Sequence, residues 1–210
     1  MKTSKYGMII IRHAEASSNF KGLVGGINSD PLTKNGIAEA KALGNFLVNS
    51  LKVNPKRVFT SNMLRAIETY AHFNYKTEPI KCCELDETNC GLVSSWKRKK
   101  FDTLYADFWN QFDPGRNFPG GESHTEMYDR VIRKFNFILN SAEYGTTDML
   151  VVHSGTISSI LHKIYSIPLT LYSRFETKNA SITFLEFDHL NKLPKLRFFN
   201  LLHNFNSEES

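Results

Sequence analysis

Two short runs, Gly7 to Ile11 (GMIII) and Met149 to Val152 (MLVV), are apolar without alternation and rich in β-branched residues. That is the pattern of strands buried on both faces, which occur in parallel sheets covered by helices, so these runs constrain the fold more than any other feature. Arg57 to Thr60 (RVFT) is a weaker run of the same kind. Between them, Ala40, Leu43, Leu47 and Leu51 recur at spacings of three and four, as do Met127, Val131, Phe135 and Ile138, and again Ile157, Ile160, Leu161 and Ile164. Each set predicts an amphipathic helix. The alternation predicts an α/β three-layer sandwich with a mostly parallel central sheet and helices on both faces. Ser181 to Phe187 (SITFLEF) alternates apolar and polar residues and predicts a later strand that could lie at an edge. A length of 210 residues suits a single domain, read here as 1–205 with a disordered tail over 206–210. Asp107 to Glu122 (DFWNQFDPGRNFPGGE) stands outside the alternation and reads as a loop or insertion over the sheet.

Ligands of open parallel sheets bind where the strands end. Arg12-His13 follows the first run, and His153-Ser154-Gly155 follows MLVV and precedes a helix expected to begin near Thr156. Two histidines therefore end two strands at what should be one edge. An always-charged guanidinium beside an imidazole disfavours the protonated ring and leaves a nitrogen able to act as base or nucleophile. Such a group suits attack on phosphorus, where negative charge spreads over three equatorial oxygens that arginine forks can bind. A second arginine is then expected, and Arg65, in the first turn of a helix after RVFT, would face the same edge.

The net charge of +5 fits an anionic partner, a phosphorylated small molecule or nucleic acid. The dense basic run Lys97 to Lys100 reads as a solvated helix face, and with no groove-reading motif a nucleic-acid partner is not expected. No segment approaches the roughly 18 to 20 apolar residues of a membrane span. The apolar run Met8 to Ile11 falls short of the ~7 to 15 residues of a signal peptide. Cys82, Cys83 and Cys90 suit neither a disulfide framework nor a zinc site, which points to a reducing, cytoplasmic setting. No metal cluster is visible, and no feature sets the oligomeric state.

Six motifs in order carry a resemblance: Arg12-His13-Ala14-Glu15 with Asn19; Pro31-Leu32-Thr33 with Gly36; Ser61, Arg65-Ala66 and Thr69; Leu85, Glu87 and Gly91; Gly120-Gly121-Glu122-Ser123; and His153-Ser154-Gly155. The chain resembles the histidine phosphatase superfamily, also called phosphoglycerate-mutase-like, through most of its length. The resemblance implies that His13 is a nucleophile forming a phosphohistidine that water hydrolyses. Arg12, Arg65 and a cationic His153 would surround the phosphoryl group, with Asn19 as a neutral donor and the backbone amides of Ser154 and Gly155 at a helix N-terminus. Ser61 or a backbone carbonyl would hold the far nitrogen of His13. Glu87, selected over Glu84 by its spacing to Gly91, would protonate the leaving alkoxide, while Glu15 and Glu122 would position loops. No metal or other cofactor is required. Ala14 replaces the family's glycine, and a positive φ there would cost about 1 kcal/mol.

The family holds both phosphatases and mutases. Only 32 residues, Thr88 to Pro119, separate Glu87 from Gly120, so residues 88–122 read as the active-site cover of a phosphatase rather than the longer basic insertion of a mutase. Trp96, Tyr105, Phe108 and Trp109 would shape an apolar mouth. The alternatives are a cofactor-dependent phosphoglycerate mutase and a catalytically weak regulatory member.

Overall fold

The structure, a computed structural model, describes residues 5–172, 174–188 and 193–203. Its elements are β1 (Tyr6–Arg12), α1 (Ser17–Lys21), α2 (Lys34–Asn45), β2 (Arg57–Thr60), α3 (Leu64–Ala71), β3 (Ile80–Lys81), α4 (Arg98–Leu104), α5 (Ala106–Asn110), α6 (His124–Asn140), β4 (Thr147–Val152), α7 (Ser154–Ile164), β5 (Ile182–Phe187) and β6 (Lys195–Leu201). The strands form one sheet in the order β3-β2-β4-β1-β5-β6. β1, β2, β3 and β4 pair in parallel, and β5 runs antiparallel to both β1 and β6. Only β5 therefore opposes the common direction.

Alternation along β1 divides the interior into two cores. Tyr6, Met8 and Ile10 pack with Met127, Val131 and Phe135 of α6 and Ile157 and Ile160 of α7. Ile9 and Ile11 pack on the other face with Ala40 and Leu43 of α2 and Ala66 and Tyr70 of α3. Burying each large side chain stabilises the sandwich by about 1.5–3 kcal/mol, which is why an unalternating strand is an α/β signature. α6 starts on a capping box: the Ser123 hydroxyl accepts from the Glu126 amide at 3.1 Å, and the Glu126 carboxylate accepts from the Ser123 amide at 2.8 Å.

Several local expectations are corrected. SITFLEF is an internal strand, because β6 covers its outer side. β6 gave no pattern since Lys195 to Phe199 are all exposed, leaving no buried face to enforce alternation. α2 gives way at Phe46–Ser50 to a wider π turn, so Leu51 leaves the apolar stripe and is exposed. α7 begins at Ser154, one residue after His153. The stretch expected as loop contains most of α5, and the cover builds a small core of Cys90, Val93, Phe101, Phe108 and Phe118 closed by Val24. The expected tail lies outside the described residues. Among the described residues no helix is long and apolar enough to cross a membrane.

Candidate active site

At the carboxyl ends of β1 and β4 lies a cavity of about 490 Å³, whose walls include Arg12, His13, Asn19, Arg65, Glu87, Ser154 and Gly155. Parallel pairing ends with Arg12 opposite Val152, which delivers His13 and His153 to one edge with ring centroids 5.1 Å apart. The loop carrying His13 is fixed from three directions. The His13 amide donates to the Val152 carbonyl at 2.9 Å, and the His13 carbonyl accepts from the Ala180 amide at 3.2 Å and from Asn179 Nδ2 at 3.0 Å. Glu15 is locked onto α2, its carboxylate accepting from Thr33 Oγ1 at 2.5 Å and its carbonyl from the Thr33 amide at 2.9 Å. Gly36 permits this approach, since a Cβ there would stand 1.9 Å from the Glu15 carbonyl oxygen.

Ala14 lies outside the left-handed region, so the anticipated strain does not arise. It is fully buried, and its amide donates at 3.0 Å to Thr69 Oγ1, which itself donates to the Arg65 carbonyl at 2.6 Å. Thr69 thus ties the His13 loop to the helix bearing Arg65.

His13 is buried, and Nδ1 donates to the Ala14 carbonyl at 2.8 Å. The proton is therefore on Nδ1 and the lone pair on Nε2, which accepts from Arg65 Nε at 3.1 Å. Burial first, then the charges of Arg65 and Arg12, hold its pKa well below the ordinary imidazole value, so the ring is neutral. Arg65 also donates from Nη1 to the Ile27 carbonyl at 2.7 Å and stands 3.8 Å from the buried Asp30 carboxylate. Arg12 donates from Nη1 to the Thr177 carbonyl, and its buried Nε has no hydrogen-bond partner among the described residues.

Ser61 does not hold His13; it belongs to His153. The Ser61 hydroxyl donates to Asp86 Oδ1 at 2.7 Å and accepts from the Met63 amide at 3.0 Å. Its one hydrogen is spent on the carboxylate, so in the 2.7 Å contact with His153 Nε2 the imidazole is the donor. The His153 ring is fully buried, and burial, followed by Arg65, His13 and Arg12, drives its pKa well below the ordinary value, so the cation expected there needs a bound anion to form. Its proton sits on Nε2, and buried Nδ1 has no partner among the described residues.

The Glu87 carboxylate accepts from the Thr88 amide at 2.9 Å and the Gly155 amide at 3.1 Å. The Gly155 amide, expected to face a phosphoryl group, is thus taken by Glu87. A Cβ at residue 155 would lie 2.2 Å from Glu87 Oε1, which accounts for the glycine. Behind Glu87, Arg130 donates to the carbonyls of Glu84, Asp86 and Glu87 at 2.8–3.1 Å and pairs with Glu122. Asn19 Oδ1 accepts from the Ala16 amide at 3.0 Å and Asn179 Nδ2 at 3.2 Å, which leaves its NH2 end as the donor on the cavity wall. Ser154 lines the cavity, its hydroxyl accepting from Thr177 Oγ1 at 3.2 Å.

The far wall differs from expectation. Trp109 lines the cavity, but Trp96 and Phe108 pack in the cover's own core and Tyr105 is exposed. Arg98, from the basic run read as solvated, is on the wall with its guanidinium 5.7 Å from the Trp109 ring. Phe118, His124 and Tyr172 complete that end. His124 adjoins the Gly-Gly-Glu-Ser motif and could have been suspected from that position; Tyr172, Thr177, Asn179 and Asp30 carried no signal. Among the described residues no group of His, Cys, Asp or Glu could hold a metal ion.

Comparison with known proteins follows the same lines. A 2,3-bisphosphoglycerate-dependent phosphoglycerate mutase of Rhizobium etli is 25% identical over 186 residues, covering 84% of this chain and 88% of that one. The solved structure of a mycobacterial glucosyl-3-phosphoglycerate phosphatase superposes with a TM-score of 0.80 at 19% identity, over 93% of this chain and 99% of that one. An alpha-ribazole phosphatase from Shigella flexneri gives 0.80 at 22% identity, over 95% and 100%. At these identities the two structures speak for the fold. The model of the histidine phosphatase superfamily (branch 1) matches residues 8–200, and with nearly the whole described sheet inside that match the chain belongs to this family.

Proposed function

We propose that the protein hydrolyses phosphomonoesters of small molecules through a phosphohistidine on His13, as a metal-independent phosphatase of the histidine acid phosphatase type. The observation that carries this reading is the neutral His13, with its lone pair on Nε2 between Arg65 and Arg12. In the first step Nε2 forms the N–P bond as the ester O–P bond breaks, and Glu87 hands a proton to the departing alkoxide. Arg65 exchanges its contact with Nε2 for the phosphoryl oxygens, where Arg12 and the Asn19 amide also bind the spreading charge. His153 Nδ1 accepts a proton as the dianion arrives, and the imidazolium is stabilised through Ser61 by Asp86. In the second step water attacks phosphorus, Glu87 takes its proton, the N–P bond breaks and inorganic phosphate leaves.

Transfer to a second substrate oxygen, the mutase alternative, requires a bisphosphate to be held at both ends. Apart from Arg12, His13 and Arg65, the wall offers Trp109, Phe118, His124 and Tyr172, with Arg98 as the one further cation among the described residues, which supports water as the acceptor. The test is turnover of p-nitrophenyl phosphate in the parent and in His13→Ala. Phosphate release and a base-stable, acid-labile phosphoenzyme are expected in the parent and neither in the variant; activity in His13→Ala near the parent level rejects the nucleophile. Transfer of the phosphoryl group from the enzyme to a phosphoglycerate in preference to water establishes the mutase instead.

A further inference from the structure

His124 is 4% exposed, yet neither ring nitrogen hydrogen-bonds any described residue, and Nδ1 is buried without a partner. Buried polar atoms are nearly always satisfied, and among the unpartnered ones here His124 is set on the cavity wall, where a ligand can reach it. Its surroundings fix its form. Trp109, Phe118 and Tyr172 enclose the ring at centroid distances of 6.0, 5.6 and 4.6 Å, and burial pulls its pKa down to about 4. The imidazole is therefore uncharged near neutral pH, and with no protein contact to dictate its tautomer it can donate or accept.

Tyr172 presents a second such group. Its hydroxyl makes no hydrogen bond to the described residues and lies 2.9 Å from where a Cβ on Gly155 would stand, on the same side as Glu87 Oε1. Burial raises its pKa well above the ordinary phenol value, so it too is uncharged. Glu87 is the group that would meet the ester oxygen under the proposed mechanism. A hydrogen-bonding site beside Glu87 therefore meets the alcohol half of the substrate under that mechanism.

Resting on the phosphatase reading, we propose that His124 and Tyr172 are specificity-determining residues that bind an uncharged hydroxyl group on the leaving alcohol, whose carbon skeleton lies against Trp109. Arg98 sits at the same end, but its guanidinium stacks on Trp109 and donates to the Val24 carbonyl at 3.3 Å. His124 and Tyr172 are thus neutral, and a neutral donor–acceptor pair matches a hydroxyl, which is itself both.

The experiment compares glycerol 3-phosphate with n-propyl phosphate, two esters of one chain length that differ by two hydroxyl groups. The readout is the ratio of their kcat/KM values in the parent, His124→Phe, His124→Gln and Tyr172→Phe. The parent is expected to prefer glycerol 3-phosphate. The ratio should fall about threefold to tenfold in His124→Phe and Tyr172→Phe, the worth of one neutral hydrogen bond, and recover in His124→Gln, which restores an uncharged donor and acceptor. Tyr172→Phe removes a single oxygen and gives the same readout should His124→Phe fail to fold. Turnover of both esters with the same ratio in the parent and in Tyr172→Phe overturns the subsite alone. Absence of turnover on every phosphomonoester in the parent overturns the phosphatase reading and the subsite with it.

Discussion

The two ends of the cavity are built on different principles. At the phosphoryl end, His13 and His153 stand on adjacent strand ends, and their orientation is set by Ala14, Arg65, Ser61 and Asp86. Elsewhere the wall comes from the cover, which rests on its own aromatic cluster, from the start of α6 and from the segment after α7, and His124 and Tyr172 on it make no hydrogen bond to the described residues. A group that must attack phosphorus in line has to be fixed before substrate arrives, because small misplacements of a reacting atom are costly in rate. A group that reads the leaving alcohol needs only a shaped wall.

This contrast can be broken by mutation. The largest effect belongs to His13→Ala, which should abolish phosphoenzyme formation, measured by trapping in acid and base. Arg65→Ala should follow, losing about 10²–10³ in kcat by the magnitude of a lost oxyanion donor. Asp86→Asn should lower kcat about tenfold by the worth of one charge-assisted hydrogen bond. It should also move the alkaline limb of the pH profile downward, because His153 must hold its second proton in the complex and loses the negative charge that favours it. Trp109→Ala, at the other end, should raise KM for alkyl phosphates about threefold to tenfold with kcat less affected; a loss of kcat as large as that of Arg65→Ala would erase the distinction between the two ends.

The smallest effect is on stability. His13, His124 and His153 all have pKa values depressed by burial, His124 to about 4, below the ordinary 6.5. The unfolded chain binds protons that the folded one refuses. Stability is therefore full above pH 6.5 and falls as pH drops from there toward the folded-state values. Tm measured by calorimetry should decline between pH 7 and pH 5, and His124→Phe should decline less steeply.

How much of this was legible in the sequence follows from the range of the interactions. Strands buried on both faces, and the histidines that end them, are local patterns, and the order of the motifs supplied the rest of the phosphoryl end. Ser61, Asp86 and His153 are far apart in the chain, so the pairing of Ser61 with His153 and the neutral state of that ring appear only when β2, β4 and the loop before Glu87 are side by side. Arg98 looked like one of four solvated cations because nothing local shows that its turn of α4 faces Trp109. β6 was invisible because an exposed edge strand has no buried face to imprint on its residues.

The single reversed strand has a further consequence. Because β5 opposes β1, its amino-terminal end arrives where β1 finishes, bringing Thr177 to the Arg12 guanidinium and Asn179 and Ala180 to the His13 carbonyl. The loop that carries His13 is thus completed by a segment about 165 residues further along the chain. Its final form therefore waits on contacts of long sequence separation, the kind whose loop-closure cost is met late in folding.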